Sequence, residues 1–219
     1  MVLTPDCDAL KRIGRTVRGR LAANPAVQAI ATERAEIWGV PGFFSPTECA
    51  QLVSFIDMVA RPSASYPAGD VAGVRTSSTG ALDPTHPVIA ALEARIDDLL
   101  GLDPRSGELL QGQRYTAGQQ FKVHTDWFDP SMPEWEREKG MGGQRAVTAM
   151  VYLNPVAEGG ETDFPHLDIA IQPGPGTLIA WNNADRDGAP NPLTAHAGNP
   201  VIRGAKYIVT KWYRCRAFR

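Results

Sequence analysis

The sequence is short of several things at once, and each shortage removes a class of protein. Only three cysteines occur in 219 residues, Cys7, Cys49 and Cys215. They are widely spaced, odd in number and form no CxxC pair, which argues against a disulfide scaffold or a zinc finger and for a reducing compartment. No apolar run approaches the roughly 18 residues that a membrane span needs, so no membrane is expected. Charge of one sign is not in excess either: 22 Lys and Arg stand against 24 Asp and Glu, net −2. Without a basic field, nucleic acid is not an expected partner. Internal repeats and low-complexity tracts are lacking too.

What the chain has in surplus is glycine and proline, 21 and 18 residues, against ordinary usage of about 7% and 5%. Many turns follow, and a helical bundle is disfavoured. The apolar and charged shares, 43% and 21%, are ordinary for a chain that buries a core as one large domain or two small ones.

Lys11, Arg12, Arg15, Arg18 and Arg20 crowd the first 25 residues. No apolar stretch follows them as a secretory signal requires, and Asp6 and Asp8 do not suit a transit peptide, so a cytoplasmic protein is expected. Leu10, Ile13, Val17 and Leu21 recur at spacings of three and four, which predicts a helix with one apolar face, ended by Asn24-Pro25. Its basic face reads as a solvated surface or as a contact for an acidic partner. We divide the chain into a helical extension packed on the core, 1–34, and a main domain, 35–219.

The front of the main domain is helical. Residues 36–40 read as a strand stopped by Pro41-Gly42. Ser45-Pro46-Thr47-Glu48 is a capping box with proline at the first helical position, and Leu52, Val53, Ile56 and Val59 supply the buried face up to Pro62. A second helix starts near Pro87, buries Val88, Leu92, Ile96 and Leu99, and closes at Gly101. Between them 62–80 reads as a long loop. From Leu109 the period becomes two, with strands expected at 112–117, 120–127, 145–153, 168–172, 176–181 and 206–213. In 145–153, Val147, Ala149, Val151 and Leu153 share a face. Many short strands that do not alternate with helices imply a sandwich, jelly roll or barrel rather than a Rossmann or TIM architecture.

Four histidines occur: His86, His124, His166 and His196. His124-Thr125-Asp126 puts an imidazole and a carboxylate at i and i+2, on one face if the segment is a strand, so both can reach one metal ion. With a third ligand from elsewhere this makes the two-His-one-carboxylate set that leaves positions open on Fe(II). By itself the pair equally describes a surface histidine beside a strand-end aspartate. Further along, His196 precedes Lys206 by ten residues with a Gly/Pro turn between, which predicts His196 on one strand and Lys206 on its neighbour, both facing one cavity. A buried lysine is costly unless an anion meets it, and a dicarboxylate chelating the metal would supply one. His86, at a helix start, and His166, in a loop, read as structural.

At this point the chain resembles the iron(II)/2-oxoglutarate-dependent dioxygenases, in particular the prolyl 4-hydroxylase catalytic domain. The matching stretches are Arg75-Thr76-Ser77, Gln113-Arg114-Tyr115, Gly118-Gln119, His124-Thr125-Asp126, Gly142 through Thr148, Tyr152-Leu153-Asn154, Gly159-Gly160-Glu161-Thr162 with Phe164-Pro165, Gly174-Pro175-Gly176, and His196 to Trp212. They keep the family's order over about residues 35–215. The resemblance implies a β-rich α+β fold, a double-stranded β-helix (jelly roll) core with flanking N-terminal helices.

Carried over residue by residue, the resemblance implies that His124, Asp126 and His196 bind Fe(II). It implies that Lys206 pairs with the distal carboxylate of 2-oxoglutarate while Tyr115 and Thr148 line the same pocket. O₂ is the further co-substrate, and ascorbate is the reductant that related enzymes commonly use. Arg145 and Trp212 fall where the family meets a peptide, and Arg75 is counted with them. Two positions depart: Phe121 stands where the family has a tyrosine, and Arg214 where it has a histidine. A fixed charge at Arg214, sharing the face of Trp212, would favour an acidic substrate. The loops 62–80 and 127–143 are candidate lids. Three functions follow: hydroxylation of prolyl residues in a peptide or protein, hydroxylation of a free amino acid or other small molecule, and a non-catalytic metal-binding jelly roll. The oligomeric state is not legible.

Overall fold

The alternating stretch at 145–152 organises the molecule because each of its faces has a layer to pack against. The structure is a computed structural model whose described residues are 6–30, 33–63 and 74–218. In chain order the front half contains α1 (Cys7–Ala22), β1 (Gln28–Ala29), β2 (Ile37–Val40), α2 (Pro46–Val59), β3 (Arg61–Pro62), β4 (Ser78–Ala81) and α3 (Pro87–Leu100). Then come β5 (Gln111–Thr116), β6 (Phe121–His124), α4 (Trp135–Gly140), β7 (Arg145–Tyr152), β8 (Glu158–Gly159), β9 (Thr162–Phe164) and β10 (Ile169–Ile171). The chain finishes with β11 (Leu178–Asn182), β12 (His196–Gly198), β13 (Val201–Arg203) and β14 (Ala205–Arg214).

Eight strands form the major sheet in the order β1-β2-β11-β7-β14-β5-β4-β3, and four form the minor sheet in the order β10-β9-β12-β6, with antiparallel pairing throughout. The two-stranded β8–β13 ribbon stands apart from both. Alternation along the major sheet divides its residues between two layers. Val147, Ala149 and Val151 of β7 join Ala180 and Val209 in the core under α1, α2 and α3. Met150 and Tyr152 of β7, with Ile179, Trp181 and Ile208, join Phe164 and Leu167 from the minor-sheet side. A jelly-roll core flanked by N-terminal helices results.

The helices end where their sequences say. Ser45 Oγ accepts from the Glu48 amide while the Glu48 carboxylate accepts from the Ser45 amide, an arrangement that contributes on the order of 1 kcal/mol. The His86 ring accepts from the Val88 amide and caps α3, which Gly101 terminates with φ +67. Helix α1 buries Leu10, Gly14, Val17 and Leu21. Gly14 lets it approach closely: a Cβ there would stand 3.2 Å from Asn182 Nδ2. Of the basic stripe, Lys11, Arg18 and Arg20 pair with Asp187, Glu36 and Asp98, so acidic groups of this same chain meet three of its five charges.

Three expectations need correction. The stretch 62–80 is not wholly a loop, since Pro62 lies in β3 and 78–81 form β4, paired with β5; residues 64–73 of that candidate lid lie outside the described residues. Asp126 is not on a strand, because β6 ends at His124 and a bend follows. His196 and Lys206 are not on neighbouring strands: β12 belongs to the minor sheet and β14 to the major one. The ribbon strand β13 occupies the chain between them, and the two side chains line one cavity from different sheets instead.

Candidate active site

Pairing of β12 with β6 sets His196 directly opposite His124, and their ring centroids lie 4.3 Å apart. The bend after β6 turns Asp126 inward, so that one ligand atom from each of the three residues lies within 4.8 Å of the others. Both imidazoles are oriented from behind. His124 Nδ1–H donates to the Lys122 carbonyl at 2.8 Å and His196 Nδ1–H to the Thr194 carbonyl at 3.0 Å. Each ring thereby keeps its Nε2 lone pair for a metal. Burial, and next the neighbouring His196, push His124 down, so it is neutral. Burial raises the Asp126 carboxyl, but His196, Arg145 and His124 together outweigh it and hold Asp126 below the usual carboxylate range. Two imidazoles that each turn Nε2 inward and one carboxylate, converging at this spacing, fit Fe(II).

Behind the triad lies a small cavity of about 40 Å³, lined by Gln113, Tyr115, Thr148, Thr162, Trp181, Lys206 and Thr210 among others. Lys206 is 2% exposed. Its ammonium sits 5.6 and 5.5 Å from the ring centres of Tyr115 and Tyr152. Among the described residues it has no ion-pair partner, and burial pushes its pKa down to about 7 against only a distant Glu161. A buried ammonium held this way fits an incoming carboxylate. Tyr115 lies directly across the β5–β14 ladder from Lys206, with its hydroxyl donating to Gln113 Oε1. Thr148 lines the cavity, yet its hydroxyl is already engaged: it donates to Asp126 Oδ2 at 2.6 Å and accepts from Asn183 Nδ2 at 3.0 Å. Thr162 lines the cavity as well and accepts from the Tyr152 hydroxyl.

In front of the triad a groove of about 530 Å³ opens, lined by Arg75, Phe121, Trp127, Phe128, Trp135, Arg145, Trp212 and Arg214 among others. Phe121, His124, Asp126 and Trp212 line both spaces, so His124 and Asp126 stand at the junction, while His196 lines the inner cavity. Phe121 stacks on His124 at 3.5 Å. Arg75 lies over the Phe121 ring and donates to Ser77 Oγ and Gln111 Oε1. Arg145 makes a two-point contact with Glu108 at 2.7 and 2.8 Å, approaches Asp126 to 3.9 Å and lies 4.0 Å from the Trp212 ring centre. The Trp212 indole N–H is buried without a partner among the described residues.

Arg214 reaches the groove, as expected, with its charge already paired. It lines the groove but is buried, and its guanidinium is bound to Glu108, Glu138 and the Gly143 carbonyl. A register shift between Tyr213 and Arg214 breaks the regular alternation at that point. Its charge is compensated and faces no solvent. The segment 127–143 is likewise fastened: the Gln144 amide bonds both the N–H and the C=O of Phe128, and Arg214 holds Glu138 and Gly143. Sequence reasoning missed Glu108, Glu138, Asn183, Thr162 and Trp181. For Thr162 a signal existed in Gly159-Gly160-Glu161-Thr162, whose glycines both adopt φ +76; the others carry none.

Comparison with known proteins agrees with this geometry. The model of the 2OG-Fe(II) oxygenase superfamily matches residues 110–214. Prolyl 4-hydroxylase 2 of Arabidopsis thaliana is 28% identical over 221 residues, covering 89% of this chain and 72% of that protein. The mouse prolyl 4-hydroxylase subunit alpha-1 is 34% identical over 148 residues, covering 61% of this chain; the chain spans only 28% of that subunit. Among solved structures, the viral collagen prolyl hydroxylase of Paramecium Bursaria Chlorella virus-1, in its 2OG complex, aligns with a TM-score of 0.63 and 30% identity, over 80% of this chain and 94% of that one. The chain belongs to the 2OG-Fe(II) oxygenase superfamily. Within it, the homologues at about 30% identity make it a prolyl 4-hydroxylase-like enzyme, for which the His124, Asp126 and His196 triad implies Fe(II) and the family implies 2-oxoglutarate.

Proposed function

We propose that the protein hydroxylates prolyl residues of a peptide or protein at C4. The target C–H becomes C–OH while 2-oxoglutarate and O₂ give succinate and CO₂, so atoms and electrons balance without a further co-reactant. Fe(II), when bound by His124, Asp126 and His196, supplies the chemistry that couples these two halves. Lys206 meets the distal carboxylate of 2-oxoglutarate, with the Tyr115 hydroxyl beside it. Arg145 and Trp212 hold the substrate in front of the triad: Trp212 offers an aromatic wall and an unpartnered N–H, and Arg145 is fixed by Glu108 before substrate arrives. Phe121 and Arg75, stacked on one another, line the same groove.

One observation carries the choice of substrate. The space in front of the triad is an open groove of about 530 Å³ walled by aromatic rings, which suits a length of chain better than a free amino acid, for which an enclosed pocket is expected. The names of the similar proteins support proline as the target. The test is a set of proline-containing peptides incubated with the protein, Fe(II), 2-oxoglutarate and O₂, read by mass spectrometry. A +16 Da product on proline, with one succinate per hydroxyl, is expected. Hydroxylation of free proline but of no peptide transfers the activity to the small-molecule reading, and failure of 2-oxoglutarate to turn over at all leaves a non-catalytic metal site.

A further inference from the structure

We propose that Asn183 is a positioning residue for the metal centre, acting on Asp126 through the Thr148 hydroxyl and on His196 through Asn191. Asn183 lies just past the end of β11 and is 2% exposed. Its side-chain N–H donates to Thr148 Oγ1 at 3.0 Å, and the Thr148 hydroxyl donates to Asp126 Oδ2 at 2.6 Å. An amide N–H can only donate, so it occupies the hydroxyl oxygen as acceptor and leaves the single hydroxyl proton for the carboxylate. The relay therefore has one direction. It fixes the rotation of the Asp126 carboxylate before any metal arrives.

The other arm runs through the main chain. The Asn183 carbonyl accepts from the Asn191 amide at 3.0 Å, while its own amide donates to the Ala146 carbonyl of β7. Asn191 then caps the turn at 192–194: its Oδ1 accepts from the Leu193 amide and its carbonyl accepts from the Thr194 hydroxyl. That turn presents the Thr194 carbonyl to which His196 Nδ1–H donates. Two ligands separated by seventy positions in the chain thus meet in one hydrogen-bonded network. His124 is held independently, by its own strand.

The cost of the arrangement is visible at the same residue. Asn183 Oδ1 is buried with no partner among the described residues, a penalty that an apolar side chain would avoid. The position tolerates an orphaned acceptor for the sake of its donor. Outer partners of this kind typically change metal affinity or activity 10- to 100-fold.

The inference rests on the metal centre and not on the prolyl substrate proposed above, so its test reads metal binding directly. The metal-free 219-residue protein is titrated with Mn(II), followed by electron paramagnetic resonance, and with Co(II), followed by its visible absorption. Thr148→Val is expected to weaken Mn(II) about 10- to 100-fold, and Thr148→Ser to return it to within about threefold of wild type. Asn183→Ala is expected to weaken it too, and to have little further effect when Thr148 is already valine, because a shared path is not additive. Thermal unfolding of the metal-free variants separates packing from positioning. Equal affinity in the Val and Ser variants, or independent effects of Asn183→Ala and Thr148→Val, overturns the proposal, as does a lowered melting temperature with unchanged Mn(II) affinity. If Thr148→Val does not fold, Thr148→Cys keeps the shape with a weak donor and takes its place. A wild-type protein that binds Mn(II) but hydroxylates no proline peptide refutes the substrate reading alone; one that binds no Mn(II) refutes this inference.

Discussion

Around the inner cavity the polar side chains come from alternate positions on adjacent strands, with Lys206 opposite Tyr115 and Trp212 opposite Thr148 in the β14 ladders. Around the outer groove they come from the ends of elements and the loops between them: Glu108 before β5, Glu138 in α4, Arg145 and Arg214 at the two strand termini. The electrostatics differ in the same way. In the cavity Lys206 has no ion-pair partner among the described residues, whereas in the groove Arg145 and Arg214 are paired with Glu108 and Glu138. Under the function proposed above, the first region recognises its ligand by charge and the second by shape, aromatic surface and hydrogen bonds.

The largest effect tests the junction between the two regions. Replacing His124, Asp126 or His196 by Ala should remove turnover to below detection while the β-sheet signal in circular dichroism persists, since all three lie at strand ends or in a bend and not in the apolar clusters. Succinate release measured with and without added Fe(II) checks this. Activity retained in any one variant removes that residue from the centre.

Next comes the uncompensated cation. Lys206→Met should weaken 2-oxoglutarate binding by about 3–5 kcal/mol, the scale for leaving one member of a buried ion pair alone. The same change should raise the melting temperature of the ligand-free protein at pH 6, because it removes a buried charge. The sign of the pH dependence follows from the lowered pKa of about 7 against an ordinary 10.5. Between these values the unfolded chain carries the proton and the folded one does not, so ligand-free stability contributed by this group rises with pH through that window. Binding of the dianion requires the protonated lysine, so 2-oxoglutarate affinity falls as pH rises above about 7, with proton uptake measurable by calorimetry in two buffers. A flat affinity from pH 6 to 9 contradicts the assignment.

The contrast also explains what could be read in the sequence. Residues on regular strands were legible: Val147, Ala149 and Val151 join the core under the helices as their spacing requires. That Tyr115 lines the same cavity as Lys206 came from the family resemblance and not from spacing. The Ser45 and Gly101 helix boundaries were legible because caps are local chemistry. Strands of two to four residues, such as β3, β4 and β9, are too short to show a period. Arg214 reaches the groove as expected, but its pairing was not legible, because a register shift and two carboxylates from distant segments are invisible in sequence. For Asp126 the inward placement was anticipated by the wrong route, since a bend and the Thr148 hydroxyl achieve what strand alternation was expected to do.

A smaller effect probes the groove wall. Glu138→Gln removes one counter-charge from Arg214 and loosens the link between α4 and β14. The expected result is a loss of about 1–3 kcal/mol in stability, the scale for an incompletely satisfied buried group. The peptide KM should rise several-fold, whereas the rate of 2-oxoglutarate turnover in the absence of peptide should stay within a factor of two. A change in the uncoupled rate as large as that in KM would mean that groove and cavity are not separable.

The smallest effect decides whether Arg214 reads substrate charge. Its guanidinium bonds Glu108, Glu138 and the Gly143 carbonyl and is held in place by them, and its immediate surroundings balance its charge. Residual attraction for a substrate carboxylate at the groove surface is that of a distant, compensated pair, on the order of a few tenths of a kcal/mol. The ratio of kcat/KM for acidic and neutral proline peptides should therefore change less than about twofold in Arg214→Gln, assayed at a temperature where the variant remains folded. Absolute rates fall in both columns, because Arg145 shares Glu108 with Arg214 and loses part of its support. If the ratio instead collapses tenfold while circular dichroism and uncoupled turnover match wild type, Arg214 must leave its carboxylates when substrate binds, and the groove then recognises charge as the cavity does.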